Sequence, residues 1–302
     1  MERDYRPFLP KFWTVLIMDD EVQLISPERS LTIEGKNTDT LKRLLPFLNG
    51  KYKVKDIPEQ IGTGNDNVMN LINDLRKNDI IVFLDDGEEL SQEFNFYCRK
   101  LGYEKTKNMF SRFKNSSVLI IGKNSITDRI MKHLDKQKIK VKNIVENELE
   151  NTKLKGYSLI VSAFTGRYPE MHETINKRCI SENVSWISAR YDGIIGEVGP
   201  LVVPFVTPCF FCYKKRLESN TVNLERYRMI ENALKSNEEN YGSLEQFFEI
   251  MSSFMSMEIL NFLLGYEKPK TYGAVLNINF TNYSTDIDKI YKVPFCRVCG
   301  KE

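Results

Sequence analysis

The first 90 residues carry short runs of strand character followed by runs of helix character. Three short apolar stretches lie between polar breaks and predict strands, over residues 12–19, 22–24 and 31–33. Apolar residues then recur at helical spacing and predict three helices, over residues 38–48, 54–61 and 65–79. Residues 80–84 return to an extended pattern that suits a wing. This order of elements predicts a winged-helix domain over residues 1–90.

The pattern changes after a polar stretch, residues 91–114, which is predicted to be a linker helix. Continuous apolar runs follow and predict buried parallel strands, over residues 118–121, 141–145, 159–163 and 184–188. Amphipathic stretches between them predict helices, over residues 126–134 and 171–182. Such alternation is typical of a doubly wound sheet, so residues 115–302 are predicted to form a Rossmann-like α/β domain.

A long helix is predicted over residues 243–264, where apolar side chains recur three and four positions apart. Ser243 and Gln246 have the spacing of a capping box at its start. The apolar residues are interrupted by three glutamates, Glu245, Glu249 and Glu258. A membrane span is therefore not expected, and the stripe is interpreted as a core helix or a dimer face.

Composition narrows the class of protein. The chain has 302 residues, 41% hydrophobic and 28% charged, as expected of a globular protein with one large domain or two ordinary ones. Its 43 basic and 41 acidic residues give a net charge of +2, which offers no basis for a nucleic-acid partner. No apolar stretch follows a charged N-terminal segment, so no signal peptide is expected and the protein is predicted to be cytoplasmic.

Two Cys-x-x-Cys pairs are the strongest chemical signal in the sequence. Cys209 and Cys212 form the first pair, and Cys296 and Cys299 form the second. Two cysteines at this spacing can direct both thiolates to one ion, so the pairs predict a structural zinc site with four thiolates. A redox dithiol and an iron–sulfur cluster are the alternatives.

The turn after the first predicted parallel strand is the second signal. A nucleotide-binding domain has three glycines here, which let the backbone approach a phosphate. This chain keeps Gly122 but has Asn124 and Thr127 in place of the other two. Glu146 stands near the position of a ribose-binding carboxylate. The sequence therefore predicts a degenerate nucleotide site that does not bind ATP.

Catalytic residues are scarce. His133 and His172 are the two histidines, and each is expected at the surface or on a helix face rather than as a general base. Cys98 and Cys179 are isolated, and each is expected to be a small buried apolar residue rather than a nucleophile.

The winged-helix domain offers a surface for an extended peptide. A peptide can add a strand to an open sheet edge, where main-chain hydrogen bonds supply affinity and side-chain pockets supply selectivity. The candidate edge consists of Leu31, Thr32, Ile33 and Glu34. The candidate groove wall is the third helix, with Val68, Ile72, Leu75 and Arg76. The alternative is that the apolar members belong to the core.

The run from Gly196 to Cys212, closed by Cys296-Arg-Val-Cys299-Gly300, resembles the ThiF-like, ubiquitin-activating-type superfamily. With its altered glycine turn, the chain is most similar to the branch of Ocin-ThiF-like and cyclodehydratase C-protein components that mature azole-containing ribosomal peptides. Its first 90 residues resemble the PqqD-like recognition element of these proteins. Active members have an Mg-ATP-binding aspartate after the strand corresponding to residues 159–163, whereas here no carboxylate occurs before Glu170.

The resemblance implies a non-catalytic subunit. It would bind the leader of a precursor peptide and present it to a YcaO-type, ATP-dependent cyclodehydratase in a linear azole or thiopeptide pathway. A homodimer is also implied.

Two other functions are alternatives. The first is an active ThiF-like enzyme that adenylates a peptide. The second is a winged-helix DNA-binding regulator, for which the acidic residues of the third helix are a poor surface.

Overall fold

The structure is a computed structural model that describes residues 4–26, 29–62, 64–85, 90–166, 169–233 and 243–300. The chain divides into two compact units, Met1–Phe110 (unit 1) and Ser111–Glu302 (unit 2). The predicted fold class, an α/β protein with an N-terminal winged-helix domain and a Rossmann-like domain, is confirmed: unit 1 contains small sheets with helices, and unit 2 contains a larger Rossmann-like mixed sheet.

Two antiparallel sheets occur in the described part of unit 1. The larger sheet has the order β2-β3-β4, with β2 at Thr14–Ile17, β3 at Glu21–Ile25 and β4 at Ser30–Glu34. These are the three predicted strands. The smaller sheet pairs β1 (Arg6–Phe8) with the predicted wing, β5 (Val82–Leu84). The sequence pattern did not indicate β1.

The helices of unit 1 cover its larger sheet. The helices that do so are α1 (Thr38–Leu44), α2 (Ile57–Ile61) and α3 (Asn65–Lys77), and two more helices of the chain follow β5. Helix α1 ends where Pro46 forces a short 3-10 turn, Leu45–Phe47, because proline cannot donate the next helical hydrogen bond. The core contains side chains from the sheet and all three helices, among them Leu24, Leu41, Ile57, Val68 and Ile72.

The predicted linker helix is two helices, α4 (Gln92–Leu101) and α5 (Tyr103–Phe113). Gly102 separates them at a φ of +80°, a conformation that glycine adopts without steric cost. Phe94 and Cys98 of α4 are buried in one cluster with Val82 and Leu84 of β5. Helix α4 therefore packs as part of unit 1.

Across the described residues of unit 2, one mixed sheet has the order β12-β11-β10-β9-β8-β6-β7. Its parallel strands are β6 (Ser117–Ile121), β7 (Lys140–Ile144), β8 (Leu159–Thr165) and β9 (Trp186–Tyr191). The antiparallel strands are β10 (Ile195–Val202), β11 (Ala274–Asn279) and β12 (Ser284–Lys289). The helices are α6 (Ser125–Lys136), α7 (Pro169–Ser181), α8 (Phe210–Asn220), α9 (Leu224–Ala233) and α10 (Glu245–Leu264).

Helix α10 begins differently from the sequence prediction. Leu244 is its N-cap residue and no side chain caps it, so the predicted capping box of Ser243 and Gln246 is wrong. Among the described residues, α10 alone is long and apolar enough to cross a membrane, with a mean hydropathy of 1.4. In the structure it packs against α6 and β10, and its Glu258 carboxylate accepts hydrogen bonds from Thr271.

Candidate functional site

The turn between β6 and α6 lies where a doubly wound sheet binds its ligand. Strand β6 has β7 on one side and β8 on the other, so the chain reverses direction across the sheet at this point. Ligands of such folds bind in the crevice at the carboxyl ends of the strands flanking this switch point. Gly122 and Asn124 follow β6 directly, and Ala163 lies near the end of β8.

The side chain of Asn124 occupies this crevice. Its Oδ1 accepts hydrogen bonds from the N–H groups of Ile126 (2.9 Å) and Thr127 (3.1 Å), and its Nδ2 donates to the carbonyl oxygen of Ala163 (2.7 Å). The Thr127 hydroxyl in turn accepts from the N–H of Asn124 at 2.9 Å, which completes a capping box. The N–H groups that bind phosphate in nucleotide-binding folds are thus bonded to the protein itself.

Gly122 has a structural reason to be glycine that does not involve a phosphate. Its φ is +118°, and a Cβ at this position would lie 2.7 Å from the carbonyl oxygen of Ala163. The glycine therefore permits the close approach of the β6 turn to β8. Its presence in the sequence is not by itself a sign of nucleotide binding.

Glu146 lies at the same edge of the sheet. The Gly122 N–H donates to the carbonyl oxygen of Ile144, the last residue of β7, and Glu146 follows two positions later in a 3-10 turn. Its position after β7 is the one predicted from the sequence. Its side chain is half-buried, and its predicted ribose-binding role remains a prediction.

The four predicted metal ligands lie together in unit 2. Cys209, Cys212, Cys296 and Cys299 are all buried, and their Sγ atoms lie within 4.8 Å of one another. The measured Sγ–Sγ distances are 3.9 Å for Cys209–Cys212, 3.8 Å for Cys209–Cys296 and 3.6 Å for Cys212–Cys299. A tetrahedral ion with metal–sulfur bonds of about 2.3 Å requires edges of about 3.8 Å. The cluster therefore fits a metal ion such as zinc.

Backbone geometry shapes the second pair of cysteines. The Gly300 N–H donates to the carbonyl oxygen of Cys296 at 2.7 Å, and a Cβ on Gly300 would lie only 2.5 Å from that oxygen. Glycine is therefore required to close this turn. The Val293 N–H points at Cys212 Sγ at 3.4 Å, an arrangement that favours a thiolate. The hydrogen bond from the Cys209 thiol lowers the pKa of Cys212, which also favours a thiolate at this position.

The predicted peptide edge is an edge strand of unit 1. In the described residues, β4 pairs with β3 on one side only. Leu31 and Ile33 are half-buried and pack against the core, whereas Thr32 and Glu34 are exposed. The strand therefore has a free main-chain edge and an alternating pattern of side chains, and its role in peptide binding remains a prediction.

The predicted groove wall on α3 is mostly core. Val68 and Ile72 have no exposed surface and Leu75 is 3% exposed, so a peptide could reach these side chains only if the core opened. Arg76 is exposed, and its guanidinium lies 4.6 Å from the ring centroid of Phe83. Of these four α3 residues, Arg76 is the exposed one, and its role in peptide binding remains a prediction.

The prediction for His172 is correct only in part, because this residue lies on a helix but not at the surface. His172 is 1% exposed on α7, where its ring packs among Phe164, Trp186 and Phe210. Burial lowers the pKa of His172 to about 3, with a further contribution from the charge of Arg190. The imidazole is therefore neutral in the folded chain.

The two isolated cysteines are buried as predicted. Cys98 is 4% exposed and Cys179 has no exposed surface. Burial raises the pKa of both thiols, that of Cys98 to about 12. Neither has the lowered pKa of a nucleophilic cysteine.

The sequence reasoning missed a partly buried polar cluster at the end of β9. Arg190 forms a bidentate ion pair with Glu197 at 2.6 and 2.7 Å, and the Tyr213 hydroxyl donates to the same carboxylate at 2.7 Å. Burial outweighs the nearby positive charge and raises the pKa of Tyr213. Facing positions on paired strands put Arg190 and Glu197 together, but only the strand register reveals this.

The solved structures similar to this chain include a heterocyclase and an E. coli protein. The heterocyclase TruD has 18% identity and a TM-score of 0.72 over 98% of this chain and 43% of its own. E. coli MccB has 14% identity and a TM-score of 0.58 over 97% of each chain. A second MccB structure, with AMPCPP and MccA, has the same identity and TM-score over 98% of this chain and 99% of its own. At these identities the likeness shows the fold.

The chain spans less than half the length of the heterocyclases it matches, 43% of one and 39% of another. No curated protein matches the sequence. A family model described as "ThiF family" matches residues 135–298, which is more than half of the chain. The matched range includes three of the four clustered cysteines, and the fourth, Cys299, is the residue directly after it. The chain belongs to the ThiF family.

Proposed function

We propose that this chain is a non-catalytic scaffold that binds the leader of a precursor peptide and presents it to a YcaO-type, ATP-dependent cyclodehydratase. The product class would be thiazole- or oxazole-containing peptides. The observation that supports it best is the side chain of Asn124, which occupies the ligand crevice of the ThiF-like unit.

Nucleotide binding in this crevice would cost several hydrogen bonds. A phosphate at the start of α6 would compete with Asn124 for the N–H groups of Ile126 and Thr127, and displacement of Asn124 would leave the Ala163 carbonyl without that partner. In addition, residues 164–166 contain no carboxylate to hold a magnesium ion at the end of β8. Adenylation by this chain is therefore disfavoured.

Peptide binding is proposed at the β4 edge. A leader in extended conformation would pair with the free main chain of Leu31–Glu34, and Arg76 would meet its side chains. The similar structures include a heterocyclase in complex with substrate and cofactor and MccB in complex with MccA. A fold shared with them is compatible with a peptide-handling role.

The metal is proposed to be a structural Zn²⁺ held by Cys209, Cys212, Cys296 and Cys299. Four thiolates fill a tetrahedral shell, so the ion has no open position for a substrate or an activated water. When bound, it would stabilise the fold by joining the two cysteine pairs.

Two further expectations from the family resemblance are retained as proposals. The chain is proposed to be a cytoplasmic protein and to form a homodimer. Light scattering of the purified chain would test the oligomeric state, and a monomer at micromolar concentration would contradict it.

Calorimetric titration with Mg-ATP tests the absence of adenylation. We expect no heat of binding for Mg-ATP. We also expect no pyrophosphate release when a precursor peptide is added with Mg-ATP. E. coli MccB is the comparison protein in both measurements. Micromolar binding of Mg-ATP with pyrophosphate release would overturn the proposal in favour of an active adenylating enzyme.

Fluorescence anisotropy with a labelled precursor leader, encoded beside the chain's own gene, tests the peptide site. Arg76→Glu should weaken binding at least tenfold, because the proposal places side chains of the leader against this guanidinium and the substitution reverses its charge. Lys77→Glu is the matched control, since it reverses the neighbouring exposed charge on the same helix turn. Equal losses in both variants would refute a specific contact at Arg76.

A further inference from the structure

The first cysteine pair lies at the N-terminus of α8, where the side chain of the N-cap residue does not cap the helix. Cys209 is the N-cap residue of α8, a position from which a side-chain oxygen usually accepts a hydrogen bond from the first helical turn. Cys209 makes no such bond, because its Sγ lies in the sulfur cluster. The N–H of Phe210, a residue only 4% exposed, therefore needs another acceptor.

Asn176 of α7 supplies that acceptor from a distant part of the chain. Its Oδ1 accepts the Phe210 N–H at 3.0 Å, across 34 positions of sequence. The Asn176 side chain is itself buried, at 1% exposure, so this bond is shielded from water.

The same helix also holds the ring of Phe210. His172 lies one turn before Asn176 on α7, and its ring centroid is 5.1 Å from that of Phe210. Helix α7 thus contacts Phe210 in two ways, through the Phe210 N–H and through the Phe210 ring. Rotation of the Cys209–Phe210 peptide would have to break both contacts.

We propose that Asn176 is a positioning residue for the metal centre, which fixes the Cys209–Phe210 peptide so that Cys209 Sγ keeps its place 3.9 Å from Cys212 Sγ and 3.8 Å from Cys296 Sγ. The inference rests on the proposed zinc. Groups that orient metal ligands typically change metal affinity by 10- to 100-fold when removed. The proposed action of Asn176 is through the Phe210 N–H and not through a bond to a sulfur atom.

The chain offers a conservative variant and a matched control. Asn176→Ala removes the acceptor, whereas Asn176→Asp keeps an oxygen at the same place. The aspartate loses no further bond, because Asn176 Nδ2 has no hydrogen-bond partner among the described residues, and at 1% exposure burial favours the neutral, protonated form of its carboxyl group. Ser188→Ala removes a different buried hydrogen bond of unit 2, from Ser188 Oγ to the Gly199 carbonyl oxygen at 2.8 Å.

The experiment measures transfer of Zn²⁺ from the full chain to an excess of a chromophoric chelator. Asn176→Ala should release the ion 10- to 100-fold faster than the unmodified chain, and Asn176→Asp should stay within about threefold of it. Ser188→Ala should lower the melting temperature without changing the release rate. Co²⁺ substitution should give a tetrahedral thiolate spectrum in every variant that folds.

An unchanged release rate in Asn176→Ala would overturn the proposal, as would equal acceleration in Ser188→Ala, which would indicate general destabilisation. If Asn176→Ala does not fold, amide hydrogen exchange at Phe210 is compared between Asn176→Ser, whose shorter side chain does not reach the Phe210 N–H, and Asn176→Asp. Faster exchange in the serine variant alone supports the acceptor role, and equal exchange in both variants contradicts it. A chain that binds no Zn²⁺ at all would refute the proposed metal, and Phe210 exchange would still report on the Asn176 bond.

Discussion

The side-chain amide of Asn124 donates a hydrogen bond of 2.7 Å to the carbonyl oxygen of Ala163. This bond joins the turn after β6 to the end of β8, the two strands between which a doubly wound sheet holds its ligand. Because the other end of the same side chain caps α6, one residue bridges the crevice and occupies the helix terminus.

Removal of this side chain should destabilise the fold. Asn124→Ala leaves the N–H groups of Ile126 and Thr127 and the Ala163 carbonyl without their partner, so the free energy of unfolding should fall by about 1–3 kcal/mol. Denaturant titration measures the change. Asn115→Ala, at an exposed amide of the same unit, should change stability by less than about 0.5 kcal/mol. Equal effects would contradict the bridging role of Asn124.

Loss of one cysteine should abolish metal binding. Cys299→Ser removes one of the four clustered sulfurs, so the metal content measured by atomic emission should fall to near zero and the melting temperature of the chain should drop.

Cys98→Ala provides the comparison, because Cys98 is buried in unit 1 apart from the cluster. Its metal content should equal that of the unmodified chain. A Cys299→Ser chain that retains its full metal content would refute the four-thiolate assignment.

His172 should make stability depend on pH. Its pKa is lowered from 6.5 to about 3 in the folded chain, mainly by burial, so below pH 6.5 the unfolded chain binds a proton that the folded chain does not. Stability is therefore full above pH 6.5 and is lost as the pH falls toward 3. From pH 7.5 to 5.5 the loss from this group should be about 1.4 kcal/mol.

Chemical unfolding of the zinc-loaded chain at both pH values measures this loss. His172→Phe keeps an aromatic ring in the cluster and should remove that part of the pH dependence. His133→Gln is the comparison variant, because it removes the other histidine of the chain, which lies half-buried on α6. The same pH dependence in all three chains would show that His172 is not responsible.

The two faces of β4 should respond differently to a charge. Ile33 packs against the core of unit 1, so Ile33→Asp should lower the free energy of unfolding by about 1–3 kcal/mol. Thr32→Asp places the same charge on the exposed face and should leave the fold intact. Circular dichroism with thermal melting separates the two. Equal melting temperatures would place Ile33 outside the core.

The predictions that succeeded rest on local sequence patterns. The run Val118–Ile121 is apolar without interruption because a central parallel strand is buried on both faces, and the structure places it in β6. The paired cysteines were recognisable because a ligand spacing of three positions is set by the turn itself. Both kinds of signal depend only on near neighbours along the chain.

The failures involve contacts between distant residues. Nothing near His172 in sequence indicates that Trp186 and Phe210 will enclose it. The hydrogen-bond acceptor for the Phe210 N–H likewise comes from Asn176, and no spacing rule connects this residue to the cysteines. The predicted capping box of α10 was wrong for a different reason. Ser243 has a side chain suited to an N-cap, but the helix begins at Glu245 and its N-cap residue is Leu244.

The two cysteine pairs have a consequence for the order of folding. Cys209 and Cys296 are 87 positions apart, as are Cys212 and Cys299, so closing these contacts early would carry a large loop entropy. We therefore expect the sulfur atoms to meet after the sheet has assembled. A metal ion that binds at that late stage would slow unfolding and leave the folding rate nearly unchanged.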